Sequence, residues 1–121
     1  MISRATLLGN VGKVTKKYLK NGGIMTTIAV VTNRKFKDAH GNMQVSESWH
    51  NVNFYSTLAF VAYKGCKAGD VAYIEGSICH RRINTIDEPE KWVYYIQADI
   101  LRVMPRGTKI YEAEVEFSPE E

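Results

Sequence analysis

Residues 46–65 read SESWHNVNFYSTLAFVAYKG, a strand pattern that runs directly into a helix pattern. Side chains alternate faces along a strand. His50, Val52 and Phe54 therefore share one face, and Trp49, Asn51, Asn53 and Tyr55 share the other. Val52 and Phe54 mark the core side. The opposite face then sets a tryptophan and a tyrosine beside two asparagines, where water is expected. Ser56 is positioned to cap the helix, Leu58, Val61 and Ala62 form its buried stripe, and Gly65 stops it.

Working outward, residues 24–37 form a long strand rich in β-branched residues, with Ile24, Thr26, Ile28, Val30 and Thr32 on one face. Residues 38–42 (DAHGN) are a hairpin tip joining it to the Trp49 strand. The two strands are expected to project as a ribbon that carries cations and rings together. Asn21-Gly22-Gly23 is turn chemistry, because Asn and Gly tolerate positive φ. Before it, an apolar run from Ala5 to Leu8 is interrupted by Gly9-Asn10-Val11-Gly12, which reads as a strand with a bulge or bend. Residues 13–19 continue as a basic, extended segment. After the helix, Gly69-Asp70 turns into a strand over 71–82, in which Ile74 and Ile78 share one face. A polar loop over 84–90 contains Pro89. The last strand covers 92–104, with Tyr94, Ile96, Ala98 and Ile100 on one side.

The order is therefore three strands, a short helix and two strands. A helix between the third and fourth strands of a five-stranded Greek-key barrel is the OB-fold arrangement, an all-β fold that binds oligonucleotides or oligosaccharides across strands 2 and 3. Residues 1–106 are expected to form this domain and 107–121 a short acidic tail. On the two ligand-side strands, Arg34, Lys35 and Lys37 surround Phe36, and Trp49 and Tyr55 follow. Exposed rings interleaved with cations are what unpaired bases and their phosphates engage.

Charge agrees with a polyanionic ligand. The net charge of +3 combines five glutamates in the last ten residues with a body, residues 1–111, of 16 basic and 8 acidic groups, a net +8. Cys66 and Cys79 lack metal-ligand spacing and read as two reduced thiols. No apolar run approaches the roughly 18 residues that span a bilayer, and the N-terminus lacks a signal-peptide layout, so the cytoplasm is the expected compartment. The histidines are dispersed, and neither a phosphate-binding loop nor a nucleophile elbow is present. A binder without catalytic residues, metal or cofactor is expected.

The chain also resembles the bacterial single-stranded DNA-binding proteins. The matching segments are LLGNVG at 7–12, NGG at 21–23, ESWHNV at 47–52 and YIEG at 73–76, in that family's order and spacing, and the likeness covers residues 3–104. It implies a homotetramer of OB folds around which single-stranded DNA wraps during replication, recombination and repair. It puts the stacking rings at Phe36, Trp49 and Tyr55. A fourth stacking position falls on Ile83, which is not aromatic, with Trp92 across the loop as the residue to compensate. Arg4, Arg81 and Arg82 match basic positions near the phosphates, and His50 matches a histidine close to subunit contacts. The tail ends Phe117-Ser118-Pro119-Glu120-Glu121. Its acidity keeps replication and repair proteins as candidate partners, while the lack of the family's apolar tip argues against the usual ones. So compact a version would suit a phage or mobile element.

Packing assignments compete at each position. Trp49 could fill a subunit interface, Tyr55 could pack under the helix, and Phe36 could pack within its hairpin. Arg34, Lys35 and Lys37 could be edge charges that deter sheet aggregation. At the level of function, the competitors are an OB-fold adaptor or mediator acting mainly through protein contacts, and a small nuclease.

Overall fold

The computed structural model describes residues 1–84, 86–87 and 91–110. Five strands, β1 (Arg4–Tyr18), β2 (Ile24–Lys37), β3 (Met43–Tyr55), β4 (Val71–Ile83) and β5 (Lys91–Met104), close into a barrel in the order β1-β2-β3-β5-β4. The helix α1 (Ser56–Gly65) lies between β3 and β4. This is the OB-fold order expected above. Closure is completed by a short parallel pairing of β3 with β5, Val52 opposite Ile96 and Asn53 opposite Gln97.

β1 serves two neighbours. Residues 4–10 pair with β4 and residues 10–18 with β2. The change of partner coincides with a register shift between Val11 and Val14, the anticipated bend. The backbone groups freed there are not orphaned. Val11 donates to the Asp70 carbonyl and accepts from the Gly69 amide, both at 2.8 Å. Gly9 sits so close to β2 that a Cβ would lie 2.3 Å from the Val31 carbonyl oxygen.

The turns follow their sequence chemistry. Gly22 has φ +87° and Gly41 φ +79°. Asp38 organises its tip by accepting the amides of His40 and Asn42, each at 2.9 Å. Those bonds, Asn42 foremost, hold its carboxyl below the usual carboxylate range.

Ile28, Val30, Val52, Phe54 and Ile74 are wholly buried, and Ile96 nearly so. α1 closes one end of the barrel with Ala59 and Ala62, the buried Thr26 hydroxyl donating to the Ala59 carbonyl at 2.7 Å. Two details of the helix differ from expectation. Val61 is exposed, because Ala59 rather than Val61 lies on the face that meets β2. Ser56 does not cap. The N-cap is Tyr55 in extended conformation, and Ser56 turns the chain into the helix at φ +57°.

A third difference concerns β5. Glu75 pairs with Ile100 but Gly76 pairs with Ala98, so Asp99 is an extra residue that reverses the alternation. Ile100 consequently faces out, and Leu101 and Val103 pack against the core instead. Cys66 and Cys79 are free thiols, and burial, with the Asp70 charge behind it, pushes Cys66 up to about 11. Among the described residues no helix is long and apolar enough to cross a membrane.

Gly76 lies under the Asp99 bulge, where a Cβ would stand 2.3 Å from the Gln97 carbonyl oxygen and 2.9 Å from the Ala98 Cα. Both contacts are backbone and cannot swing away. Gly76→Ala is expected to cost about 1–3 kcal/mol, read as a lower urea midpoint with an unchanged slope. An unshifted midpoint would contradict this packing.

Candidate nucleic-acid interface

Residues paired directly across a ladder share a face, so the register defines what each wall of the barrel presents. The outer wall of β1–β2–β3 carries three rows: Asn10, Val31 and Trp49; Thr15, Thr27 and Asn53; and Lys17, Met25 and Tyr55. Trp49 is 58% exposed, and its indole reaches across β2 to rest on Gly12 of β1. A Cβ on Gly12 would lie 2.6 Å from the ring's Cζ3. The glycine therefore seats the ring against the wall. Tyr55 is half-buried at the other end of the wall, beside the start of α1. Between them Thr27 donates its hydroxyl to Asn53 at 2.8 Å.

Beyond the barrel, β2 and β3 continue as a ribbon, and its register separates the residues read from the sequence as one group. Lys35 and Lys37 pair with Val45 and Met43 on the outer face, with Trp49. Arg34 and Phe36 pair with Ser46 and Gln44 on the opposite face, continuing the line of Val30 and Thr32. Phe36 and Trp49 are thus both exposed but look in opposite directions. The reason is parity. Val30 must face the core, which sends every even-numbered residue of β2 the same way.

A second ribbon, β4–β5, rises from the same end of the barrel, because β3 and β5 run parallel. Its inner face carries His80 opposite Tyr94 and Arg82 opposite Trp92, while Arg81 and Ile83 point outward. Trp92 is 62% exposed but lies on the other face from Ile83, so it does not occupy that position. At the base between the two ribbons, His50 Nδ1 meets the Tyr94 hydroxyl and His50 Nε2 lies 3.0 Å from Thr32 Oγ1. Burial holds the His50 imidazole below its ordinary range and pushes the Tyr94 phenol up, so both stay neutral at pH 7. Arg4 is apart from all of this. Its guanidinium binds Asp99 and Ser77 on the β1–β4–β5 wall.

Lys17 and Thr15 were not singled out in the sequence, although their segment is visibly basic. Only the pairing of β1 with β2 brings them into the rows of Tyr55 and Asn53. The electrostatics of the wall are one-sided. Residues 1–37 and 48–69 contain no Asp or Glu, so Glu47 is the one carboxylate that β1, β2 and β3 contribute.

The chain matches the Single-strand binding protein family over residues 2–114. It belongs to that family. It is 35% identical over 104 residues to the single-stranded DNA-binding protein of Xylella fastidiosa, covering 85% of this chain and 63% of that one. It is 28% identical over 104 residues to the corresponding protein of Neisseria meningitidis serogroup A, covering 85% of this chain and 60% of the relative. The chain thus matches somewhat less than two thirds of those relatives' length. Among solved structures, the fold resembles Plasmodium falciparum SSB in complex with ssDNA, with a TM-score of 0.75 at 23% identity, covering 86% of this chain and 96% of that one. It also resembles a deletion mutant of the Thermus aquaticus single-stranded DNA binding protein, with a TM-score of 0.74 at 15% identity, covering 85% of this chain and 50% of that one. This member of the single-strand binding protein family therefore carries the exposed Trp49 ring on an acid-poor wall of a barrel whose fold it shares with those structures.

The seat under Trp49 is testable. In Gly12→Ala the new methyl overlaps only the far edge of the indole, which can tilt away, while its 3.4 Å approach to the Ala29 carbonyl oxygen is ordinary contact and leaves the backbone in place. With Trp92→Phe as background, the Trp49 emission is expected to shift while the melting temperature stays within a few degrees. An unchanged spectrum would show that the ring does not rest there.

Proposed function

We propose that the chain binds single-stranded DNA with little sequence preference and protects it during replication, recombination and repair. The observation that carries this reading is the Trp49 ring, seated on Gly12 with 58% of its surface open. It lies on a wall where Lys17, Lys35 and Lys37 outnumber Glu47. In this reading Trp49 and Tyr55 stack on bases and the lysines neutralise phosphates. Phe36, Arg34, Arg82 and Trp92 form a second set, and Arg81 adds charge on the outer side of its ribbon. A strand that engages both sets must bend round the β2–β3 ribbon. Arg4, held by Asp99, serves the wall rather than the ligand. Every base has a π-face, so stacking does not discriminate among them, and no chemical step is required.

The β1–β4–β5 wall leaves Leu8 and Ile100 partly exposed beside Tyr73. We take it as the seam of a homotetramer. Trp49→Ala is expected to weaken binding to poly-dT by about 1–3 kcal/mol, followed by fluorescence anisotropy. Affinity of the parent is expected to fall steeply with salt and to be far lower for duplex. Light scattering on the same samples should give the mass of four chains before and after the substitution. Equal affinity for strand and duplex would sink the stacking mechanism.

The domain division proposed for the chain is an OB fold over 1–106 followed by the acidic segment. Thr108 and Ile110 line an open groove of about 450 Å³ together with Asn10, Val31, Asn33 and Lys35, beside the Trp49 row. Glu112–Glu121, which lies outside the described residues, starts two positions further on. An acidic segment that follows Ile110 in the chain would compete with phosphates for the charge of lysines such as Lys35. Deleting residues 112–121 is expected to tighten poly-dT binding several-fold at low salt and to have little effect at high salt, since exposed charges are screened. Unchanged affinity at low salt would exclude competition.

A further inference from the structure

A second cluster of rings and lysines lies at the helix-covered end of the barrel, beyond Tyr55 and apart from Trp49, Phe36 and Trp92. Lys16 and Tyr18 continue the inward-facing line of β1, opposite Thr26 and Ile24, and emerge beside α1. Tyr63 stands one helical turn beyond Ala59, which Thr26 anchors. The Lys16 ammonium lies 4.5 Å from the centre of the Tyr63 ring and 5.3 Å from that of Tyr18. Tyr18 is 70% exposed, Tyr63 43% and the neighbouring Phe60 52%. No carboxylate among the described residues pairs with Lys16. Lys17, Lys20 and Lys64 add positive charge nearby in the chain, and neither β1 nor α1 contains an acidic residue.

We infer that Tyr18, Lys16 and Tyr63 form a further stacking station, which carries a single strand of DNA past Tyr55 and over the helix-covered end of the barrel. The inference rests on the reading of the Trp49 wall as the primary DNA site. Continuity supports it. Lys17, between Lys16 and Tyr18, lies in the Tyr55 row, and Tyr55 is itself the N-cap of α1. Charge supports it as well. A protein partner buries surfaces depleted in lysine, whereas here a lysine occupies the centre of the patch between two rings. A phosphate on Lys16 leaves the flanking bases beside the two tyrosines, the alternation that single strands offer.

The test compares Tyr18→Ala/Tyr63→Ala with Trp49→Ala on oligothymidylates of about 6 and about 16 nucleotides, within the range one OB fold occupies. The double variant is expected to bind the short strand like the parent and the long strand about tenfold more weakly, whereas Trp49→Ala weakens both. Lys16→Gln, which leaves both rings in place, is expected to lower the salt slope on the long strand by about one. Parental binding by the double variant at both lengths, with Trp49→Ala still impaired, overturns the inference and spares the wall. Parental binding by both variants overturns the two together. A change in assembled mass without a change in DNA affinity would reassign the patch to contacts between copies of the chain.

Discussion

The alternation of β2 and β3 is the constraint on which the rest depends. Ile28, Val30, Val52 and Phe54 are each wholly buried, and each contributes about 1.5–3 kcal/mol by leaving water. A slip of one residue in either strand would turn its core residues outward. The loss from the four together is comparable with the whole stability of a domain, about 5–15 kcal/mol. The register is therefore locked by the core, not by the residues assigned to the proposed ligand. Because Val52 must face in, Trp49 and Tyr55 must face out. The fold thus holds both rings in place before any ligand arrives, which is how a rigid barrel would favour the proposed binding through preorganisation.

Closure extends the same logic to the ends of the barrel. The bend in β1 lets one strand serve both β2 and β4, and the loop before β4 satisfies the backbone at the bend. Gly12 lies within that bend, so the feature that closes the barrel also clears the seat for the Trp49 ring. At the opposite end α1 approaches closely because its inward residues, Ala59 and Ala62, are small. The Thr26 hydroxyl then fixes the helix to the wall through a bond that has no water to compete with it. Larger inward residues would hold the helix further off and part Tyr63 from Lys16.

Strand type, order and turns were legible in the sequence because they rest on local alternation and on Gly and Asn positions such as Asn21-Gly22-Gly23. What was missed depends on distant partners. Ile100 reads as a core residue until Asp99 is recognised as an insertion opposite Glu75 and Gly76. Val61 and Ala59 are equally apolar, and only docking against β2 chooses between them. The hydroxyl of Ser56 suggested a cap, but the abrupt passage from β3 to α1 demands a left-handed backbone there instead. Arg4 looks like a free cation in the chain, yet its partner Asp99 is 95 positions away. The separation of Phe36 from Trp49 was within reach. Their pairing partners, Gln44 and Val31, follow from the hairpin register once the tip is fixed at residues 38–42.

In the proposed binding mode, that separation bears on how binding energy is distributed. A flat wall with every ring on one side would take a straight segment of DNA, and its affinity would end where the wall ends. Here the outer wall offers Trp49 and Tyr55, the inner faces of the ribbons offer Phe36 and Trp92, and the helix-covered end offers Tyr18 and Tyr63. In the proposed mode each station would contribute modestly, about 1–3 kcal/mol per stacked base, and none would be reached without turning a corner. Unpaired DNA turns such corners readily, whereas a duplex, with a persistence length of about 50 nm, does not. In that mode, discrimination against duplex would follow from the placement of the rings on successive faces as much as from stacking itself, since a stiff polyanion reaches one face and its lysines but not the next.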